Sequence, residues 1–225
     1  MKGFRVTRNA FFACALGLTS ALAATNPIDE IATAEGLQKL NVKDIDLAYG
    51  RPGATLSSYT KIMLEPVDVA FHKDWNPDRT GSRFKLSATE RENIRSGVSR
   101  VVYDEFVRTL TSKSPYEMAK EAGPDVLRVK AKVLNLYVNA PDVPTAGRSR
   151  TYTVSAGEMT LLLELFDSES GAILARVVDR REARNTGVMN LSSSVVNAGE
   201  ARAIAAVWAR ALKNALDKAH GIGKK

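Results

Sequence analysis

The clearest hydrophobic pattern in the chain runs from Glu158 to Ala183 and predicts a β-hairpin. Every second residue of its first half is apolar, at Met159, Leu161, Leu163 and Leu165. Residues 167–171 are a turn signal, because Asp bonds the backbone ahead of it and Gly accepts positive φ. The alternation then resumes at Ile173, Ala175 and Val177. Since Leu162 and Phe166 make the other side of the first strand apolar too, we expect this strand at the centre of a sheet.

A second long strand is predicted over residues 125–138, and its pattern changes phase. Up to Val133 the odd-numbered residues are apolar, and from Leu134 the even-numbered ones are. One extra residue is needed to bury both sets on one side, so we expect a β-bulge or a sharp twist near Val133–Asn135. Residues 61–69 and, more briefly, 115–119 also read as strands. Pro66 lacks a backbone donor, which favours an edge, an end or a bulge.

Two amphipathic helices are predicted from capping signals and apolar spacing. Ser87 and Glu90 have the spacing of a capping box, after which apolar residues recur every three or four positions, at Ile94, Val98, Val101, Val102, Phe106 and Leu110. Asn197 and Glu200 predict the start of the last helix, whose apolar stripe comprises Ile204, Val207, Trp208, Ala211, Leu212 and Leu216. Each stripe must face a sheet.

These elements predict an α+β fold, a two-layer sandwich. We expect a mainly antiparallel sheet of about four strands with both helices on one face, the other face being wet or covered by the N-terminal segment. The predicted organisation is a signal peptide at 1–23, an N-terminal extension at 24–57, a single α+β domain at 58–219 and a flexible tail at 220–225.

The first 23 residues have the three parts of a secretory signal peptide. Lys2, Arg5 and Arg8 form the positive region, residues 10–18 are apolar, and residues 21–23 (Ala-Leu-Ala) are a small-x-small cleavage site. The apolar run is too short for a membrane span. We therefore expect export, cleavage after Ala23 and a periplasmic protein.

Cysteine and charge narrow the class of protein further. The single cysteine, Cys14, lies inside the signal, and the residues before it do not form a lipoprotein processing site, so lipid anchoring is not expected. The mature chain then has no thiol for a disulfide, a metal site or a nucleophile. The signal carries three cations, which lowers the formal net charge from +7 to +4. That balance does not argue for a nucleic-acid partner.

No motif in the sequence points to catalysis. A phosphate-binding glycine loop and a nucleophile elbow are both missing, and the two histidines, His72 and His220, are far apart. Glu158, Glu164 and Asp179 could be neighbours across the hairpin; we expect them to form ion pairs with Arg176, Arg180 and Arg181, with a catalytic carboxylate cluster as the alternative. We expect no enzymatic activity, no cofactor and no metal, and keep a carboxylate hydrolase as the remaining alternative.

Basic residues offer the one candidate ligand-binding surface. Arg128, Lys130 and Lys132 share one face of the predicted 125–138 strand, and Arg176, Arg180, Arg148 and Arg150 are expected to add to it. Such a face suits an anionic envelope ligand, such as anionic lipid, lipopolysaccharide or peptidoglycan carboxylates. An ordinary solvated face is the alternative. Trp75 and Tyr152 are candidate anchors for a protein partner, with packing over the edge of the core as the alternative.

Several of these stretches resemble a bacterial domain-of-unknown-function family. The resemblance rests on residues 58–69, the long helix after them, residues 125–129, and the hairpin from Gly157 to Gly171 with Ala175 and residues 179–181; it covers roughly residues 45–219. Members of that family are exported envelope proteins, many of them predicted lipoproteins, and the resemblance brings no catalytic motif. We expect a non-enzymatic envelope protein that acts as a protein-interaction or accessory module, the alternative being a binder of an anionic envelope ligand through the basic sheet face.

Overall fold

The computed structural model describes residues 27–75, 87–138, 152–153, 157–183, 190–191 and 194–222. Its helices are α1 (Pro27–Ala34), α2 (Ala88–Thr111) and α3 (Ser194–Ala219). Its strands are β1 (Gln38–Leu40), β2 (Leu47–Gly50), β3 (Lys61–Leu64), β4 (Asp68–Phe71), β5 (Glu117–Met118), β6 (Val126–Val138), β7 (Tyr152–Thr153), β8 (Gly157–Asp167), β9 (Ile173–Glu182) and β10 (Asn190–Leu191).

The main sheet is larger than the four strands predicted. Within the described residues it has eight strands, in the order β1-β2-β9-β8-β6-β3-β5, with β4 also paired to β6. It is mixed, because β3 and β4 run parallel to β6 while β6, β8, β9, β2 and β1 pair antiparallel in turn. The parallel pairing follows from the α2 crossover, which returns the chain to the same end of the sheet. The strands of this sheet that the sequence did not predict, β1 and β2, have three and four residues, too few to show a clear alternation.

The predicted hairpin is confirmed, and its first strand is central. β8 and β9 pair antiparallel from Glu158↔Glu182 to Phe166↔Ile173. The Asp167 carboxylate caps the turn by accepting hydrogen bonds from the Ser170 backbone N–H at 2.7 Å and from its hydroxyl at 2.5 Å. β8 lies between β6 and β9, so both of its edges are paired.

The predicted β-bulge in β6 is also confirmed. The pairing of β6 with β8 shifts between Leu134 and Tyr137, and Asn135 takes a φ of 53°. Opposite the bulge, Gly157 has a φ of 138°, and a Cβ there would lie 1.8 Å from the carbonyl oxygen of Tyr137. The bulge therefore requires glycine at position 157. Pro66 lies in the break between β3 and β4, one of the settings predicted for it.

Helices α2 and α3 cover one face of the sheet, which we call the first face. Their residues share a single core with β3, β4, β6 and β8, built around Trp208, Phe106, Leu110, Leu127 and Leu161. The Ser87 capping box is present as predicted. α3 begins at Ser194, three residues before the predicted cap at Asn197.

The described part of the N-terminal segment belongs to the fold. The sequence, in contrast, predicts a domain that starts at residue 58. β2 pairs with β9 from Leu47↔Val178 to Gly50↔Ala175, and β1 pairs with β2. α1 lies on the opposite face of the sheet, the second face, over a small separate core of Ala32, Leu37, Tyr49 and Ile173. The structure is thus a two-layer sandwich with a partial third layer.

Candidate functional site

The three basic residues of β6 lie where the sequence places them. Along the strand, buried residues alternate with partly exposed Arg128, Lys130 and Lys132, which point away from α2 and α3. Their register partners on β8 are Phe166, Glu164 and Leu162. The second face therefore combines cations, carboxylates and apolar side chains; it is not uniformly basic.

Arg128 is held by its neighbours. Its guanidinium lies 4.7 Å from the ring centroid of Phe166, a cation–π contact, and its Nε is 3.7 Å from Oε1 of Glu65. Stacking on an aromatic ring and pairing with a carboxylate both reduce the charge that Arg128 presents to solvent.

Arg176 is buried and cannot serve as an open ligand-binding residue, contrary to our expectation. Its Nε and Nη2 donate to Oε1 of Glu164 at 3.0 and 2.6 Å, and its Nη1 donates to Oε2 of Glu35 at 2.5 Å. Burial acts to lower the pKa of Arg176, but the two carboxylates outweigh it and raise that pKa. Because Glu35 follows α1, this arginine ties the N-terminal segment to β8 and β9.

Arg180 is exposed but also paired. Its guanidinium donates to Glu158 and to Glu182, and Glu158 is the main reason why the pKa of Arg180 is raised. Its backbone N–H donates to Oδ2 of Asp46 at 2.8 Å. Carboxylates of β8 and β9 therefore compensate the charge of Arg180.

The remaining predicted residues divide into two groups. Arg148 and Arg150 lie outside the described residues, and Tyr152 is described only as part of β7. Trp75 is buried in the main core with 6% of its surface exposed, so it is not an exposed anchor. Its ring stacks on Phe71 at 4.2 Å, and its Nε1 donates to the carbonyl oxygen of Val138 at 2.9 Å.

The carboxylates of the hairpin do not form a cluster; as expected, they pair with neighbouring arginines, Glu158 with Arg180, Glu164 with Arg176 and Asp179 with Arg181. Glu164 pairs with Arg176 on the second face, whereas Asp179 faces the main core opposite Leu161. Asp179 is 1% exposed and accepts hydrogen bonds from Nε1 of Trp208 at 2.8 Å and from Nε of Arg181 at 2.6 Å. Its role in this geometry is to join β9 to α3.

The other buried charge lies on α2. Glu105 is 3% exposed, and Arg108 covers it with hydrogen bonds of 3.0 Å from Nε and 2.5 Å from Nη2. Glu105 raises the pKa of Arg108 in return. Both members of this ion pair lie on one helix. Among the residues that the structure describes, no group of three or more His, Cys, Asp or Glu side chains could hold a metal ion.

The two histidines contact different parts of the fold. Nδ1 of His72 accepts the backbone N–H of Asp74 at 3.1 Å. Nε2 of His220 lies 2.9 Å from the carbonyl oxygen of Tyr59, and its ring packs 5.5 Å from that of Tyr116. His220 thereby contacts, from the end of α3, the segment that leads into β3.

Among the described residues of the second face, a group that we call the open strip comprises Lys130, Lys132, Leu134, Leu162 and Val178. All five side chains are partly exposed. Neither lysine forms an ion pair with any residue that the structure describes. Glu164, directly opposite Lys130, is engaged by Arg176. In register across the strands, Lys132 lies next to Leu162, and Leu162 next to Val178.

Sequence reasoning missed the acidic residues of the N-terminal segment. Glu35 reaches Arg176, and Asp29 accepts a short hydrogen bond from the Tyr49 hydroxyl. Burial and this carboxylate raise the pKa of Tyr49 to about 12. The acidic, apolar run from Ile28 to Glu35 was the available signal, because an amphipathic helix buries its apolar side and so brings the acids beside that side close to the surface it covers.

Comparison with known proteins identifies a family. A family model described as a protein of unknown function (DUF3313) matches residues 31–212. The chain is similar to the PelC dodecamer from Paraburkholderia phytofirmans at 9% identity and a TM-score of 0.37, covering 74% of this chain and 96% of that chain. It is also similar to protein XCC0632 from Xanthomonas campestris at 10% identity and a TM-score of 0.39, covering 75% and 93%.

Comparison with curated proteins found no match. Among the described helices, none is long and apolar enough to cross a membrane. Similarity at the level of the two structures above carries no information about what this chain binds.

Proposed function

This chain belongs to the DUF3313 family of proteins of unknown function, and we propose that it is a non-enzymatic accessory protein of the bacterial cell envelope that acts by binding another protein. In this proposal the signal is cleaved after Ala23 and the mature protein works in the periplasm without a lipid anchor. The positive, apolar and small-x-small regions of residues 1–23 support export.

The observation that carries the proposal is the contrast between buried and exposed polar groups. The buried charged residues Glu105, Arg176 and Asp179 all have hydrogen-bonding partners that stabilise the fold. A catalytic acid or base needs access to substrate, which these geometries do not provide. The open strip, in contrast, presents apolar side chains beside two lysines that form no ion pair with any described residue, the mixed character of a protein-binding surface.

The test is localisation followed by cross-linking in intact cells. We expect the purified mature protein to begin at Ala24, to appear in the periplasmic fraction, and to form a cross-linked complex with another protein. A full-length protein retained in the cytoplasm, or a periplasmic protein that cross-links to no other protein, would contradict the proposal.

A second candidate is the binding of an anionic envelope ligand, such as lipid, lipopolysaccharide or peptidoglycan. Lys130 and Lys132 favour this candidate, since neither forms an ion pair with a residue that the structure describes. Carboxylates compensate Arg128, Arg176 and Arg180. The affinity of this face for an anionic ligand should therefore be lower than seven free basic residues would give. Extraction of lipid and glycan from the purified mature protein, with Lys130→Gln/Lys132→Gln as the comparison, tests this candidate.

A further inference from the structure

We propose that residues 27–40, which we call the strap, open and close over the second face as a unit while the main core stays folded. The strap consists of α1, β1 and the turn between them. In the closed position it packs on Tyr49 and Ile173 and reaches Arg176. This inference goes beyond the proposed function, because it concerns access to one part of the sheet and not the identity of a partner.

The strap buries little apolar surface. Of its residues, Ala32 and Leu37 are buried, and both belong to the small core. All three residues of β1 are exposed, and α1 has eight residues, too few to stay helical once it leaves the sheet. The main core, in contrast, joins two long helices to four strands. A segment with so few buried contacts opens at a lower free energy than the core does.

The polar contacts of the strap can be broken without leaving a buried charge alone. The Glu35 carboxylate accepts hydrogen bonds from Nη1 of Arg176 at 2.5 Å and from Nη2 at 3.1 Å. When the strap opens, Glu35, already 36% exposed, becomes hydrated, and Arg176 keeps its 2.6 Å hydrogen bond to Glu164. In the first turn of α1, Asp29 accepts a hydrogen bond from the Tyr49 hydroxyl, and water can replace that bond on both sides.

The strap ends where the chain is fixed to β9. The backbone N–H of Asp46 donates to Oδ1 of buried Asp179 at 3.1 Å, and Oδ2 of Asp46 accepts the backbone N–H of Arg180 at 2.8 Å. β2 follows directly and pairs with β9. Residues 41–43, which precede this attachment, are all exposed. They are therefore the hinge about which the strap moves.

Opening changes what the second face presents. In the closed state Arg176 is 8% exposed, and Tyr49 and Ile173 are buried. Once the strap leaves, these three side chains lose the groups that cover them, and an apolar patch beside one guanidinium becomes accessible. The equilibrium of the strap thus sets the access to this part of the sheet.

Hydrogen exchange of single backbone amides in the mature chain, followed by NMR, tests the inference. The Leu37 N–H, which donates to the carbonyl oxygen of Ala32 at 2.8 Å, reports the strap. The Asp46 N–H reports the chain beyond the hinge, and the amides of β6 report the main sheet. We expect the protection factor of Leu37 to be about 100-fold or more below those of β6, and that of Asp46 to lie at least about tenfold above that of Leu37. Low urea concentrations should speed exchange in β6 and leave Leu37 unchanged, because opening the strap exposes little surface.

Two pairs of variants separate the strap from the rest of the fold. Phe106→Leu, in the main core, should speed exchange in β6 and leave Leu37 unchanged. Glu35→Gln should speed exchange of Leu37 about tenfold, because its hydrogen bonds from Arg176 lose their charge. Glu182→Gln, whose carboxylate pairs with exposed Arg180, is the matched control and should leave Leu37 unchanged.

Two results would overturn the inference. If exchange of Leu37 rose in step with β6, in urea or in Phe106→Leu, the strap would open only when the whole protein unfolds. If Glu35→Gln and Glu182→Gln had equal effects on Leu37, the contact with Arg176 would not hold the strap closed. Neither result depends on the cellular location of the protein or on its partner, so the proposed function is tested separately.

Discussion

Replacing Arg176 with methionine should release the N-terminal segment from the sheet. Arg176 has 9% of its side chain exposed and is the common partner of Glu35, beyond α1, and Glu164, on β8. Methionine keeps much of the apolar stem but removes every donor of the guanidinium. The two carboxylates are then left facing each other without a cation between them.

The cost follows from how deeply each carboxylate is buried. Removing one partner of a buried ion pair costs about 3–5 kcal/mol, mostly from the charge left behind. Glu164 is 12% exposed and bears that cost, whereas Glu35 is 36% exposed and water compensates part of it. We therefore expect Arg176→Met to lower the free energy of unfolding by about 3 kcal/mol, a large share of a typical total of about 5–15 kcal/mol.

Urea unfolding followed by tryptophan fluorescence measures this change, because Trp75 and Trp208 are both buried in the main core. Hydrogen exchange of the backbone amides of β2 reports the local effect, which should exceed that in β6. Arg180→Met is the matched control on the same strand: its side chain is 56% exposed, so its pairs with Glu158 and Glu182 should contribute about 0–1 kcal/mol.

Two milder variants should differ in how much stability they lose. Glu164→Gln should destabilise more than Glu35→Gln, since the less exposed carboxylate loses more when its charged hydrogen bonds weaken. If Arg176→Met cost no more than Arg180→Met, or if Glu35→Gln were the costlier substitution, burial would not govern these pairs and the argument would fail.

Three further outcomes are expected. Trp208→Phe, which removes the hydrogen bond to buried Asp179, should cost about 2 kcal/mol in urea unfolding. Gly157→Ala should cost about 3 kcal/mol or more, because its Cβ would overlap the carbonyl oxygen of Tyr137. Asp167→Asn should flatten the acid limb of the stability–pH curve. Hydrogen bonds from Ser170 hold the pKa of Asp167 below its unfolded value of about 3.9, so its contribution is present above that pH and is lost as the pH falls through the folded pKa.

Each of these has a matched comparison. Trp75→Phe loses a hydrogen bond to a neutral carbonyl and should cost less than Trp208→Phe; the reverse order would contradict the role of Asp179. Gly171→Ala, where nothing lies within 4 Å of the added Cβ, should cost about 1 kcal/mol from its φ of 69° alone. An acid limb unchanged by Asp167→Asn would mean that other carboxylates control acid unfolding.

Local patterns were enough to predict the elements whose signals lie close together in the chain. Alternation of period two identified β8, β9 and β6, and the change of phase at Leu134 located the bulge. The Ser87 capping box located the start of α2. These features depend on backbone geometry and on which side of one strand or helix is apolar, and both are written within a few residues.

Long-range pairing decided which of the predicted basic residues are compensated by carboxylates. The charges of Arg176 and Arg180 were visible in the sequence, but their availability depended on Glu35, 141 residues from Arg176, and on the hairpin register that sets Glu158 near Arg180. Side-chain type predicts that a cation is present; only packing decides whether a carboxylate compensates it, because compensation acts over a few ångströms in space and not along the chain. Among the described members of the seven predicted basic residues, Arg128, Arg176 and Arg180 form ion pairs, and Lys130 and Lys132 form none with a described residue.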